Sequence, residues 1–405
     1  MQDTIYNHNY RLNKEAESIL QSDELTDKNK QLIKDFDRAI FLLEGLGKAR
    51  RIKILQSLKI IAKKLKKNFD QATKEDIKKI IQDIEENDNY SIWTKHGYKI
   101  IIRKFYKWLE YGDDYVKRNE YPERVSWFIT TVKKKDRHKV NASDILTEKE
   151  VEKLIKHAEH TRDKAFVSMI YELGARIGEI SILKIKDISK DKYSYIVDLE
   201  GKTGHRTPRI IIASPYLTNW LNGHPDKDNP EAWLWVKKGV RDYERMQYQS
   251  FRILLIRLAE KCSIKKRVYP HLFRHTRVTH LLVNKQINES QAKVYFGWTP
   301  DSGMLSEYSH LVIQDVNDAL LEMHGIKTST KREPQLKPKI CPVCENINPK
   351  DYRFCGKCGN ILDVQTAIAL DQEREKYDDV MDRLMQDKEY REITLKKIQA
   401  LQKSV

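Results

Sequence analysis

Three short segments hold side chains suited to breaking a phosphodiester. Arg176 lies in GARIGE, His271 and Arg274 lie in PHLFRH, and Tyr308 lies in SEYSHL. Phosphoryl transfer needs charge neutralised on the non-bridging oxygens, an aligned nucleophile and a proton for the leaving oxygen. An arginine fork grips two oxygens at once and stays charged. A tyrosine, with a pKa of about 10, is a weak nucleophile until nearby cations favour its phenolate. Lys202, in the turn GKTG, could reach the scissile position and protonate the leaving 5′-oxygen. Glu179, three residues after Arg176, is expected on the same helical face, where it can orient the arginine. His271 follows Pro270 at a helix start, where an anion is favoured. Arg274 is expected on the adjacent turn, and His275 is expected to point elsewhere in a structural role.

The elements that must position these groups are mainly helical. Residues 1–27 are polar and form an extension, an arm or one short helix. Residues 28–115 read as a helical module, with apolar residues at three- and four-residue steps and a capping Thr73 before EDIKKIIQDIEE. Arg103, Lys104 and Lys107 among aromatics give its last helix a basic face. Residues 116–145 form a basic linker, with Lys133, Lys134 and Lys135 able to lie along a phosphate backbone. Thr147 and Glu150 form a capping box that opens a second domain over 146–325. This domain is helical apart from one hairpin, YSYIVDL and RIIIA about GKTG. DKAFVSMIYELGARIGEISIL reads as one helical period, and NESQAKVYFG ends at Gly297. A linker follows at 326–339, then a cysteine module at 340–364 and a C-terminal helix at 365–405. The expected fold class is mainly α (α+β).

Composition narrows the partner. The 405 residues carry a net charge of +16, which points to a polyanion. The N-terminus has no apolar leader core, and no apolar run approaches the ~20 residues that span a bilayer. A membrane role is therefore not expected, and the location expected is cytoplasmic and nucleoid-associated. Four of the five cysteines, Cys341, Cys344, Cys355 and Cys358, form C-x2-C-x10-C-x2-C. That spacing suits a closed structural zinc ribbon rather than disulfides. The fifth, Cys262, is expected to be an ordinary buried thiol.

On GARIGE, the GKTG turn, PHLFRH and SEYSHL in this order, the chain resembles the tyrosine recombinase (phage-type integrase) family. The resemblance covers most of the chain. It implies a SAM-like core-binding domain at 28–115 and a catalytic domain at 146–325. The catalytic set it implies is Arg176, Lys202, His271, Arg274, Trp298 and the nucleophile Tyr308, with Glu179 in support. Many members have Gly-His where this chain has Gly297-Trp298, so Trp298 is assigned packing and one hydrogen bond, not proton transfer. The implied reaction forms a 3′-phosphotyrosyl link and a free 5′-hydroxyl on double-stranded DNA, within a homotetramer and with no catalytic cofactor. Integration or excision of a viral or mobile element is the expected role. The zinc ribbon and C-terminal helix lie outside the common core and could dock an accessory protein. Alternatives are a type IB topoisomerase-like nicking-closing enzyme and an inactive recombinase-fold DNA-binding regulator.

Overall fold

Helix starts in this chain are marked by caps. Thr26, Thr73, Ser91 and Thr147 each precede a helix and accept a hydrogen bond from a backbone N–H of its first turn. Thr73–Asp76 and Thr147–Glu150 complete reciprocal capping boxes. The computed structural model describes residues 5–133, 143–191, 193–201, 204–237, 239, 243–283, 287–304, 321, 323–324 and 336–402. The chain divides into one unit over Met1–Lys139 and another over Val140–Val405.

The first unit contains α1 (His8–Leu20), α2 (Asp27–Glu44), α3 (Lys48–Leu65), α4 (Lys74–Glu85), α5 (Ile92–Tyr111) and the short α6 (Glu123–Ser126). Its core joins Ile33, Phe36, Leu58, Phe69, Ile80 and Phe105. Phe36 meets Phe105 edge-on at 5.1 Å, a geometry that ring quadrupoles favour. Two segments expected outside this module belong to its core. Leu12 and Ile19 of α1 bring in the N-terminal extension, and Val125 and Phe128 bring in the start of the linker. Their apolar side chains are too sparse to show a period, but burial against α3 and α5 removes them from water.

The second unit is built around α8 (Thr161–Leu173), whose residues 165–173 are all buried. It packs on α7 (Glu148–His157), α10 (Ser214–Asn222) and α12 (Pro270–Val283). α9 (Ile177–Ile180), α11 (Tyr248–Lys261) and α13 (Glu289–Phe296) complete the helices around the site. The hairpin expected about GKTG is two ladders. β1 (Ile188–Lys190), β2 (Tyr195–Val197) and β5 (Arg209–Ile210) form an antiparallel sheet in the order β1-β2-β5. β3 (Leu199–Gly201) and β4 (Gly204–Arg206) form a separate hairpin, with Leu199 opposite Arg206. Pro208 cannot donate to a ladder, and the Asp198 N–H turns to the Asp187 carbonyl at 2.8 Å; together they separate the two ladders.

The α8–α12 contact buries a titratable pair. The Tyr171 hydroxyl meets His280 Nδ1 at 3.0 Å. Burial, then the nearby Arg277 charge, pushes the His280 pKa down to about 4. A depressed folded pKa gives stability that is complete above the unfolded value of about 6.5 and is lost as pH falls toward 4. Unfolding free energy should therefore drop by no more than about 3 kcal/mol across that window from this group. Urea unfolding at pH 7 and 4.5 tests this: His280→Asn should flatten that part of the slope, and equal slopes in both proteins would refute it.

Candidate active site

Gly174 decides where Arg176 stands. The sequence from 163 to 183 reads as one helical period, yet α8 stops at Leu173 and Gly174 takes φ 51°. A Cβ there would also lie 2.5 Å from Phe296 Cε1 and 3.2 Å from Arg277 Cβ. Both the conformation and the close packing require glycine. The break corrects the single-helix expectation and makes Arg176 the N-cap residue of α9. Glu179 is held not by a shared helical face but by a capping arrangement. Its carboxylate accepts from the Arg176 backbone N–H at 3.1 Å and from Arg176 Nη1 at 2.8 Å. Burial pushes the Glu179 pKa up, but Arg206 and Arg176 outweigh it and hold the carboxyl below its ordinary value.

Arg274 and His271 occupy the first turns of α12. Arg274 is 2% exposed. Its Nη1 donates to the Gly174 carbonyl at 3.0 Å and its Nη2 to the Phe296 carbonyl at 2.8 Å. These contacts tie α12 to the end of α8 and the end of α13. The guanidinium also lies over the rings of Phe296 at 5.5 Å and Trp298 at 5.4 Å. Trp298 is buried beside Phe296, at 5.3 Å between rings. α13 ends at Gly297, φ 60°, as its sequence indicates. His271 stands at the exposed end of α12. Partial desolvation by the surrounding protein, then the charges of Arg274 and Arg176, hold its imidazole below the ordinary value. Burial first, and then these two arginine charges, thus favour the neutral imidazole over the charged one. His275 does not point elsewhere: it stacks edge-on with His271 at 4.6 Å, one helical turn away.

The structure brings Arg176, Glu179, His271, Arg274 and Trp298 together. Lys202 and Tyr308 lie outside the described residues, as do Lys134 and Lys135. Sequence reading missed Arg206. Its Nη2 pairs with Glu179 Oε2 at 2.6 Å, and its side chain is 9% exposed. An arginine four residues beyond Lys202 carries no local signal of this role.

The cations expected on a polyanion are engaged within the first unit. Arg103 donates to the Val125 carbonyl at 3.3 Å and the Thr130 hydroxyl at 3.2 Å, and also to the Phe128 carbonyl. Lys104 pairs with Glu44, and Lys107 donates to the Arg118 carbonyl. Arg103 thus anchors the chain after α6. Lys133 is described and exposed.

The Sγ atoms of Cys341, Cys344, Cys355 and Cys358 lie within 4.8 Å of one another, so the four could bind a metal ion. The Cys341–Cys358 and Cys344–Cys355 pairs are each 3.6 Å apart. A tetrahedral thiolate site with Zn–S of about 2.3 Å spaces sulfurs at about 3.8 Å, so the residues fit zinc. β6 (Lys339–Ile340) pairs with β7 (Ile347–Asn348) to shape the first knuckle. The Lys357 N–H points at Cys355 Sγ at 3.4 Å, which favours a thiolate. The module docks on the helical body of its unit. Asn219 Nδ2 donates to the Tyr352 hydroxyl at 2.7 Å, and Lys350 faces Glu152 at 3.4 Å. Leu336, from the segment expected as a linker, joins the core. Beyond the module, one expected helix is two, Val364–Gln386 and Lys388–Gln402. Asp387 leaves helical ψ and accepts from the Tyr390 N–H at 2.8 Å. Tyr377, Met381 and Leu384 remain exposed. Cys262 is half-buried, its thiol 3.5 Å from the Lys153 carbonyl. No helix among the described residues is long and apolar enough to cross a membrane.

Residues 144–315 match the phage integrase family. The chain is 32% identical over 139 residues to tyrosine recombinase XerA of Pyrococcus furiosus, covering 34% of this chain and 47% of the relative. It is 30% identical over 192 residues to a tyrosine recombinase of Pseudothermotoga lettingae, covering 44% and 59%. The chain thus spans about half the length of these curated relatives. Among solved structures it is similar in fold to the Tn1549 transposon integrase in complex with transposon right end DNA. That likeness has a TM-score of 0.55 at 16% identity, over 72% of this chain and 99% of that one. It is also similar in fold to a lambda integrase tetramer bound to a Holliday junction, with a TM-score of 0.51 at 14% identity, over 67% and 78%. With Arg176, His271 and Arg274 converging inside the matched segment, the domain at 144–315 belongs to the phage integrase family, that of the tyrosine recombinases.

Proposed function

We propose that this chain is a site-specific recombinase that cuts and rejoins double-stranded DNA through a 3′-phosphotyrosyl intermediate on Tyr308. The observation that carries this reading is the convergence of Arg176 with the start of α12: Arg274 Nη1 holds the carbonyl of Gly174, two residues before Arg176, at 3.0 Å, and His271 stands on the same helix one turn before Arg274. Arg176, about one-third exposed, can offer its fork to the non-bridging oxygens, and Arg274, whose Nη groups hold the Gly174 and Phe296 carbonyls, adds a fixed positive charge behind them. The Tyr308 phenol gives up its proton to solvent as its oxygen attacks phosphorus, the bond to the 5′-oxygen breaks, and Lys202 supplies the proton that the 5′-oxygen takes. The free 5′-hydroxyl then returns its proton to Lys202 and attacks the phosphotyrosyl link of a partner strand, which releases the Tyr308 of the copy held on that strand to take up a proton from solvent. Trp298 holds Arg274 in place through its ring and takes no proton. No further cofactor enters these steps.

Residues 28–115 serve as the core-binding domain and 146–325 as the catalytic domain, assembled as a homotetramer on DNA in the cytoplasm. Lys133, Lys134 and Lys135 contact phosphates, alongside Arg103, Lys104 and Lys107 where their internal partners leave donors for DNA. Such contacts make affinity fall with salt. Zinc held by Cys341, Cys344, Cys355 and Cys358 is structural, because four protein ligands close its coordination. The module and the C-terminal helices offer a surface for an accessory protein, and the role is integration or excision of a viral or mobile element.

The test is to incubate the full chain with a pool of duplexes bearing candidate attachment sequences in EDTA, then to recover DNA that stays attached on a denaturing gel. The expected adduct carries a 3′-phosphate on Tyr308, located by peptide mass spectrometry, and a free 5′-hydroxyl. Tight binding with no adduct would leave a non-catalytic DNA-binding protein. Relaxation of supercoiled plasmid lacking every captured sequence would replace the recombinase by a nicking-closing enzyme.

A further inference from the structure

Arg206, at the end of β4, occupies an unusual position for a charged side chain. It is 9% exposed, and its only ion-pair partner among the described residues is Glu179, 4% exposed, at 2.6 Å. Its Nε and Nη1 are buried without a hydrogen-bond partner among the described residues. Each such donor costs about 1–3 kcal/mol, so the guanidinium is a poor choice if bulk alone were needed. Its surroundings leave it no room to move. A Cβ on Gly297 would fall 2.8 Å from Arg206 Nη1, and one on Gly201 would fall 2.5 Å from Glu179 Oε1. Two glycines from different elements thus close over the Arg206–Glu179 pair: Gly297, which precedes Trp298, and Gly201, which precedes Lys202.

The other side of the same carboxylate holds Arg176, through Nη1 at 2.8 Å and the backbone N–H at 3.1 Å. One carboxylate therefore ties the β3–β4 hairpin to the first turn of α9. Arg176 is about one-third exposed and faces outward, whereas Arg206 is enclosed. A phosphate can reach Arg176, but it cannot reach the buried Nε and Nη1 of Arg206 unless the fold opens. An effect of Arg206 on chemistry must run through Glu179.

Resting on the recombinase reading above, we propose that Arg206 is a positioning residue for strand cleavage, setting the place of Arg176 through Glu179 and clamping the hairpin that carries Lys202 against α9. Misplacing a group by about 1 Å can cost about 100-fold in rate. The experiment measures single-turnover adduct formation by the full chain on a duplex captured as described above, together with the Kd of that duplex. Wild type is compared with Arg206→Met, Arg206→Lys, Glu179→Gln and the Arg206→Met/Glu179→Gln double variant. The Met variant should form adduct about 100-fold more slowly while its Kd stays within about 3-fold of wild type. The Lys variant keeps the charge but loses the fork, so it should fall between, about 10-fold down. The double variant should be no slower than the slower single one, because both act on one link.

A Met variant at the wild-type rate overturns the proposal, as do losses that multiply in the double variant or a defect confined to Kd. If the Met variant does not fold, the Lys variant decides, and an unchanged rate there overturns it. A wild-type protein that forms no adduct overturns the recombinase reading itself, a result distinct from a normal wild type with indifferent variants.

Discussion

Arg274→Ala should slow adduct formation by about 1,000-fold or more and also destabilise the catalytic unit. The kinetic loss follows from removing a fixed positive charge from a site where transition-state charge is expected to develop. The stability loss has a separate origin. Arg274 is buried and donates to the carbonyls of Gly174 and Phe296. Truncation leaves both carbonyls without those donors and opens a cavity under Trp298, at a cost of about 2–4 kcal/mol. Arg274→Lys separates the two effects. It keeps a positive charge and most of the volume, but a single ammonium cannot hold both carbonyls in the geometry of the guanidinium fork, so its charge shifts from the place the site needs. Its stability should recover more than its rate does. Tyr308→Phe sets the zero of the assay, and urea unfolding of each variant supplies the stability scale. An Arg274→Ala protein that forms adduct near the wild-type rate would remove Arg274 from the chemistry.

The second large effect is expected from metal removal. Structural zinc sites of this kind carry about 10–16 kcal/mol of apparent binding free energy in peptides. The module has little core of its own beyond Cys341, Cys355 and Asn348, which are buried together. One zinc per chain should co-purify. Prolonged treatment with a high-affinity zinc chelator should unfold residues 340–364 and break the Asn219–Tyr352 and Lys350–Glu152 contacts. Hydrogen exchange should then rise in the module and along α10, where Tyr352 rests. The chemical step on DNA should change by less than about 3-fold, since four thiolates leave no open metal position for substrate. Protein that carries no metal as purified, yet shows a protected module, would rule out the zinc site. Cys355→Ser should reproduce the chelated state without any chelator.

Features that depend on neighbours a few residues apart were legible in the chain. The caps at Thr73 and Thr147, the helix stop at Gly297 and the paired cysteine knuckles all close within three or four residues, where backbone geometry leaves few alternatives. GARIGE and PHLFRH carry local patterns that marked Arg176, His271 and Arg274, which the fold brings together, whereas SEYSHL lies outside the described residues. Tertiary structure decided the rest. Helical periodicity continues through Gly174, but packing against Phe296, 122 residues further on, ends the helix and turns Arg176 outward. Arg103 has the spacing of a basic surface residue, yet nearby carbonyls after α6 claim it. The segments around Leu12, Phe128 and Leu336 look like extensions and linkers, because one or two apolar residues show no period until a distant core accepts them. Arg206 is the clearest instance: its partner Glu179 lies 27 residues away on another element. A charge finds such a partner only when the chain has folded and water has been excluded from both.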